Sequence, residues 1–261
     1  MLPLTFNAVR FTLGSVLLFL ALWVLEGGFL LDKKDFKGVL GLGVVGHTFY
    51  QLLFIHGIAG TTASLSALII ATSPLFVVVL NSLVGAEKPS GRTLLGVLLS
   101  LAGVFMLVSG SSGNFGLAQT HIVGGVLTLA AAVCWAAYTV FSKPYLARYS
   151  PLRLTVTTMI LGTIILDVSA IPSLFAQDWR SVTVEGWAGL AYSFGLAIVV
   201  GYVIWEIGVH KVGPGRTAVY QNLIPVVATA VSCLWLGETI VEAQIIGAAM
   251  VFLGIYLARR Y

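Results

Sequence analysis

The chain is written almost entirely in long apolar runs. Nine segments stand out, at roughly 5–25, 37–56, 62–84, 93–109, 122–142, 152–171, 186–206, 215–236 and 240–258, here lettered a to i. Each approaches the length that crosses about 30 Å of hydrocarbon at about 1.5 Å per residue. Their apolar positions are continuous and do not alternate with period two, which argues against a β-barrel. The interruptions carry turn chemistry or charge: Gly27-Gly28, Asp32-Lys33-Lys34-Asp35, Gly85-Ala86-Glu87-Lys88-Pro89, Gly110-Ser111-Ser112-Gly113-Asn114, Ser150-Pro151 and Gly213-Pro214-Gly215. The pattern predicts an all-α integral membrane protein with nine transmembrane helices.

Composition narrows the alternatives. Of 261 residues, 58% are hydrophobic and 9% charged, against about 25% charged in an ordinary globular domain. That excludes a water-soluble α/β enzyme, a disordered chain and a nucleic-acid-binding domain, so the net charge of +4 does not imply a nucleic-acid partner. Cys134 and Cys233 both lie in apolar runs and give neither a disulfide framework nor a metal signature. Met1-Leu2-Pro3 leads almost directly into segment a, without a basic n-region or a cleavage site, so no signal peptide is expected.

The basic residues orient the bundle. As the chain weaves, one side receives Lys33, Lys34, Lys37, Lys88, Arg92, Lys143, Arg148, Arg153, Lys211, Arg216, Arg259 and Arg260, which is 12 of the 14. The other side holds Arg180, and Arg10 lies inside segment a. The positive-inside rule makes the basic side, and with it the C-terminus, cytoplasmic.

The sequence also repeats. Displaced by 151 residues, Gly57 falls on Gly208, Ala67 on Ala218, Pro74 on Pro225, Glu87 on Glu238, Gly96 on Gly247 and Gly103 on Gly254. Segments b, c and d thus recur as g, h and i. Pro3 and Pro151 extend the match to a and f with a three-residue gap. Segment e has no partner. The expected division is 1–121, with four helices, and 122–261, with five. The repeat unit is then five helices, of which the first half lacks the first. Five is odd, so the second unit enters the membrane from the opposite side. Inverted-topology repeats belong to secondary transporters, with the substrate near the midplane; a duplicated structural bundle is the alternative.

These residues resemble the EamA family of the drug/metabolite transporter (DMT) superfamily. The resemblance is carried by Ala218 to Gly254, with Pro225-Val226-Val227-Ala228, Leu236-Gly237-Glu238, Gln244, Gly247 and Gly254, and by the first-half echo in Pro74, Glu87, Gly96 and Gly103. Arg10-Phe11 is similar to the family's second helix. The resemblance implies a ten-helix fold of two five-helix inverted repeats and export of metabolites, often amino acids, or of drugs. It implies no cofactor and names no substrate.

Candidate chemistry is sparse. Gly41, Gly43 and Gly46 match G-x-G-x-x-G, but inside an apolar helix, with no preceding strand; they predict close helix packing. His47, Tyr50, Gln51 and Phe54 share one helix face, and Ile198, Gly201, Tyr202 and Trp205 are their repeat mates. An intramembrane histidine usually faces a cavity, though it also serves as a neutral bridge between helices. Pro225 disturbs the carbonyl of Gln221, beside Asn222, whose amide both donates and accepts; Pro74 makes the parallel break in segment c. Trp135 and Tyr138, with Thr139 and Ser142, add aromatics with polar tips. The expected substrate-binding set, lining a central cavity, is His47, Tyr50, Gln51, Trp135, Tyr138, Tyr202, Trp205, Gln221 and Asn222. Asp167 is either a gate or a headgroup-level charge; Glu206, with His210 and Lys211 nearby, is expected at headgroup level.

The expected function is a secondary transporter exporting small metabolites by alternating access, as a monomer or weak homodimer in the cell membrane, with a bacterial inner membrane the expected location. No nucleotide-binding segment is seen. An integral-membrane enzyme acting on lipid is the alternative; it would want H-E-x-x-H, G-x-S-x-G or paired carboxylates at the membrane centre, and none is present.

Overall fold

The computed structural model describes residues 1–28, 31–85, 90–111, 119–236 and 241–259, and every regular element among them is helical. The α-helices are α1 (Pro3–Glu26), α2 (Phe36–Gly43), α3 (Tyr50–Ala59), α4 (Ala63–Ile70), α5 (Ser73–Leu83), α6 (Gly91–Ser111), α7 (Gln119–Ser142), α8 (Pro151–Ala176), α9 (Val184–Tyr192), α10 (Gly201–Val212), α11 (Pro214–Val219), α12 (Leu223–Leu236) and α13 (Glu242–Arg259). Two π-helical stretches join them without a break in direction: Val44–Phe49 links α2 to α3, and Ser193–Val200 links α9 to α10. Glu87, Lys88, Ser112, Glu238 and Arg260 lie outside the described residues.

Seven stretches are long and apolar enough to cross a bilayer: Pro3–Glu26, Phe36–Ala59, Leu65–Leu83, Gly91–Ser109, Ile122–Ala147, Pro151–Ala176 and Val184–Val212. The final helix offers a shorter apolar stretch, Glu242–Ala258. Segment h is divided among α11, a 3-10 turn at Tyr220–Asn222 and α12. The many large apolar side chains left open, such as Val24, Leu83 and Phe175, suit a hydrocarbon solvent. The chain is a multi-pass membrane protein.

Local chemistry explains the ends. Ser150 and Thr183 each accept a hydrogen bond from the amide three residues on, starting α8 and α9. Thr62 does the same for α4 through Leu65. Pro3 and Pro151 sit in the first turns, where a missing N–H is harmless. Gly27 closes α1 at φ +72°, a conformation that a side chain would strain. The break between α4 and α5 falls just before Pro74, as the sequence predicts. The carbonyls it frees are taken by hydroxyls: Thr72 Oγ1 donates to Ile69 and Ser73 Oγ to Ile70, both at 2.6 Å.

The chain packs as two compact units. The first comprises Met1–Ile55 and Phe141–Lys211, the second His56–Val140 and Val212–Tyr261. Each therefore draws on both sequence halves. A repeat is a unit of sequence and a compact unit one of packing, so the two divisions need not coincide.

In the first unit α1 and α8 run antiparallel. Thr5 meets Ser173 at 2.7 Å, Ser15 meets Thr163 at 3.2 Å, and Ser150 donates to Glu26 at 2.5 Å. Phe11, Leu18, Leu22, Met159, Leu166 and Ile198 form the core between them. One end is tied by polar contacts. Arg148 Nη1 and Tyr149 Oη both donate to Asp35 Oδ2 at 2.7 Å, Arg153 pairs with Glu26 at 3.2 Å, and Lys143 Nζ donates to the carbonyls of Val209 and His210.

In the second unit α6 and α13 also run antiparallel, at backbone contact. A Cβ added to Gly96 would lie 2.5 Å from the Gly254 carbonyl, and one added to Gly103 2.5 Å from that of Gly247. Val97, Val104, Leu107, Val251 and Ile255 fill the seam.

Candidate functional site

The densest buried polar group in the first unit begins on segment b. His47, Thr48 and Gln51 are 0%, 1% and 2% exposed, which is too far inside for lipid-facing residues. The π-helical stretch Val44–Phe49 sets their directions, since a π turn reorients the following side chains relative to an α-helix; such turns recur at functional positions. Close approach of α8 is permitted by Gly43, where a Cβ would lie 2.5 Å from the Thr158 carbonyl. Of the glycine pattern, Gly43 takes the expected packing role, whereas Gly41 has nothing within 4 Å of an added Cβ.

His47 Nε2 lies 3.1 Å from Thr158 Oγ1. The Thr158 hydroxyl also has backbone carbonyls within reach, that of Leu154 at 2.9 Å and that of Thr155 at 3.2 Å. With the Thr158 proton on a backbone carbonyl Nε2 donates to the hydroxyl, and with the proton turned to the ring Nε2 accepts; either way the contact bridges the two helices. Tyr202 lies beside the ring, with centroids 5.2 Å apart, and Phe11 meets Tyr202 edge to face at 6.0 Å.

Gln51 is the hub. Its Oε1 accepts from Asn7 Nδ2 and Arg10 Nη2, both at 3.2 Å, and its Nε2 donates to Tyr202 Oη at 3.4 Å. Arg10 Nε also donates to Asn7 Oδ1 at 2.7 Å and Nη1 to Ser193 Oγ at 3.2 Å. Ser193 opens the second π-helical stretch. The first unit thus brings His47, Gln51 and Tyr202 together. Tyr50 stacks on Phe54 at 5.7 Å. Trp205 packs elsewhere, against the cluster of Val39, Leu146, Leu154 and Val209.

Asn7, Arg10 and Ser193 belong to this network and were not among the residues singled out from sequence. A signal existed: between Pro3 and Glu26 Arg10 is the sole charged residue, with Asn7 one turn before it. A lone intramembrane arginine faces the protein interior.

Glu206, expected as a headgroup-level charge, is 0% exposed and so is enclosed by protein. Asp167 accepts from Thr12 at 2.7 Å and lines a cleft of about 430 Å³ with Val9, Leu13, Val168 and Ile171.

The other expected site residues lie in the second unit. Trp135 and Tyr138 stack at 5.5 Å between centroids and are buried. Asn222 Nδ2 donates to Ser100 Oγ at 2.8 Å. Asn222 Oδ1 and Gln221 Oε1 are buried acceptors with no hydrogen-bond partner among the described residues. No group of three His, Cys, Asp or Glu side chains converges as a metal site among the described residues.

Comparison with known proteins places this architecture. The EamA-like transporter family matches residues 1–109 and 122–260. "Uncharacterized transporter YyaM" of Bacillus subtilis is 26% identical over 98% of this chain and 84% of its own length. The Escherichia coli protein named "Probable amino-acid metabolite efflux pump" is 28% identical over 86% of this chain and 77% of its own length. A solved crystal structure, 20% identical, superposes with a TM-score of 0.85, covering 99% of this chain and 87% of that one; at that identity it speaks for the fold alone. With the family matched along nearly the whole chain, the protein belongs to the EamA-like transporter family of the drug/metabolite transporter superfamily.

Proposed function

We propose that this chain is a secondary transporter that exports a small metabolite, such as an amino acid, or a drug, across a cell membrane by alternating access. The observation that carries the proposal is the network of buried Asn7, Gln51 and Ser193 with half-buried Arg10 and Tyr202, beside His47. A packed helix bundle has no need of so many polar groups, and membrane proteins keep them where solutes pass. The name of the Escherichia coli relative favours amino acids. The residues proposed to touch solute are His47, Tyr50, Gln51, Tyr202 and Trp205 in the first unit and, in the second unit by itself, Trp135, Tyr138, Gln221 and Asn222. The buried acceptors of Gln221 and Asn222 suit a donor such as an ammonium group.

The proposed topology is nine membrane helices from a 5+5 inverted repeat, divided at 1–121 and 122–261, with the C-terminus in the cytoplasm and a bacterial inner membrane as the location. Several contacts support it. Under the repeat, Gly96 corresponds to Gly247 and Gly103 to Gly254; Gly96 faces Gly254 and Gly103 faces Gly247, as a two-fold axis in the membrane plane would arrange them. Likewise Gly14 corresponds to Gly162 and His47 to Ile198; Gly14 abuts Ile198 and Gly162 abuts His47. The two π-helical stretches fall at corresponding places, and the mates α1 and α8 are antiparallel.

The test is counterflow. Purified protein in vesicles preloaded with unlabelled L-amino acids should take up the labelled ones, and His47→Ala should slow that uptake several-fold. Equal rates for the two proteins would reduce His47 to a packing residue. Altered vesicle lipid without any flux would favour an enzyme acting on lipid.

A further inference from the structure

Arg10 carries a charge that nothing described around it neutralises. It lies seven residues into α1 from Pro3, about 10 Å along the helix, and is half-buried. Its three hydrogen bonds go to Asn7, Ser193 and Gln51, all through uncharged oxygens. The ion pairs Lys34–Asp32, Arg148–Asp35 and Arg153–Glu26 all leave Arg10 out. The rings of Phe6 and Phe11, 5.7 and 5.4 Å from the guanidinium carbon, offer only their quadrupoles.

The group is also held in place. A guanidinium has five N–H donors. Nε and one N–H on each terminal nitrogen are occupied, which leaves one N–H on Nη1 and one on Nη2. Asn7 comes from the same helix, Gln51 from α3 and Ser193 from the π-helical stretch after α9, so three elements fix the plane of the fork. Gln51 is itself anchored to Asn7 and Tyr202. A preorganised cation with two donors unspent and no counter-ion among the described residues is the chemistry that recognises a carboxylate.

We propose that Arg10 binds the carboxylate of the transported solute, so that the substrates are amino acids and other small carboxylates, while cations lacking a carboxylate are excluded. Asn7 and Ser193 are positioning residues for the guanidinium, and Gln51, one of the proposed solute contacts, also holds it. This inference rests on the transport function proposed above.

The test compares acids with their carboxamides. Counterflow is measured in phosphatidylcholine vesicles with labelled proteinogenic L-amino acids, with the matching amino-acid amides, and with ethidium as a carboxylate-free cation. The expected result is uptake of one or more acids by the wild type, with the matching amides slower by about tenfold or more. Arg10→Gln should lower acid uptake by a similar factor and amide uptake by much less, so that the acid-to-amide ratio falls toward one, and Arg10→Lys should restore part of the loss.

Equal acid and amide fluxes in the wild type, or an Arg10→Gln variant that slows both alike, would overturn the assignment. Ethidium uptake without acid uptake would overturn it while keeping transport. No flux of any probe would sink the transport reading and this inference with it. Repeating the series with phosphatidylglycerol present addresses a lipid anion: an Arg10 effect seen only with that lipid assigns the guanidinium to a headgroup and overturns the solute role. If Arg10→Gln does not elute as a folded species, the acid-to-amide ratio of the wild type decides alone.

Discussion

At the scale of the residue, Asp35 shows how a polar tie is built outside the spans. Tyr149 and Arg148 donate to the same oxygen, and the Tyr149 hydrogen bond is the main reason its carboxyl is held below the ordinary value of 3.8. A lowered carboxylate pKa stabilises the fold above the unfolded value, and that contribution is lost as pH falls through the folded value. Tyr149→Phe should therefore lower the melting temperature at pH 7. The gap from wild type should close as the pH drops below about 4; a gap that stays constant with pH would place the effect in packing of the ring. Arg10 was within reach of the sequence for a different reason: an arginine in an apolar helix must find protein partners. Which partners it finds could not be read, because Gln51 and Ser193 lie 41 and 183 residues away and periodicity carries no information across such distances.

At the scale of the element, the glycine contacts carry the packing. Gly96 and Gly254 let α6 and α13 touch backbone to backbone, which in lipid replaces the hydrophobic drive that holds soluble helices together. Gly96→Ala would set a methyl group 2.5 Å from a carbonyl oxygen and 2.7 Å from the Ala258 amide nitrogen, neither of which can swing aside. The expected cost is about 1–3 kcal/mol, read as a lower melting temperature in detergent. Gly41→Ala, inside α2 with nothing within 4 Å, serves as the control and should not lower it, since alanine favours the helix. The break at Pro74 and the one preceding Pro225 were legible, since proline chemistry is local. The π-helical stretches were not. A π turn is stabilised by what packs on it, and His47 and Ser193 each depend on a distant helix for that.

At the scale of the whole molecule, the basic asymmetry predicts which loops face the cytoplasm. In a background with Cys134 and Cys233 replaced by alanine, Ser181→Cys should react with an impermeant thiol reagent on intact cells. Ser90→Cys should react only after permeabilisation. Both positions are exposed, and the reverse pattern would invert the proposed topology. Length and hydropathy were enough to reach the membrane class, and the resemblance carried by Ala218 to Gly254 reached the family. They did not reach the interleaved division of the chain, because which helices pack together is decided by surfaces such as those of Gly43 and Gly162, not by order along the sequence.

That interleaving has a consequence for biosynthesis. The α1 helix leaves the ribosome long before α8, the helix that covers it, has been made, and α6 likewise precedes α13. At translation rates of about 5–20 residues per second the interval is on the order of ten seconds. Through that time Arg10 has Asn7 beside it and Gln51 soon after, but Ser193 and the apolar face of α8 do not yet exist. The nascent chain must keep an arginine-bearing helix in or beside the insertion machinery, and a ribosome that stalls before residue 151 leaves behind a helix that the bilayer alone does not shelter.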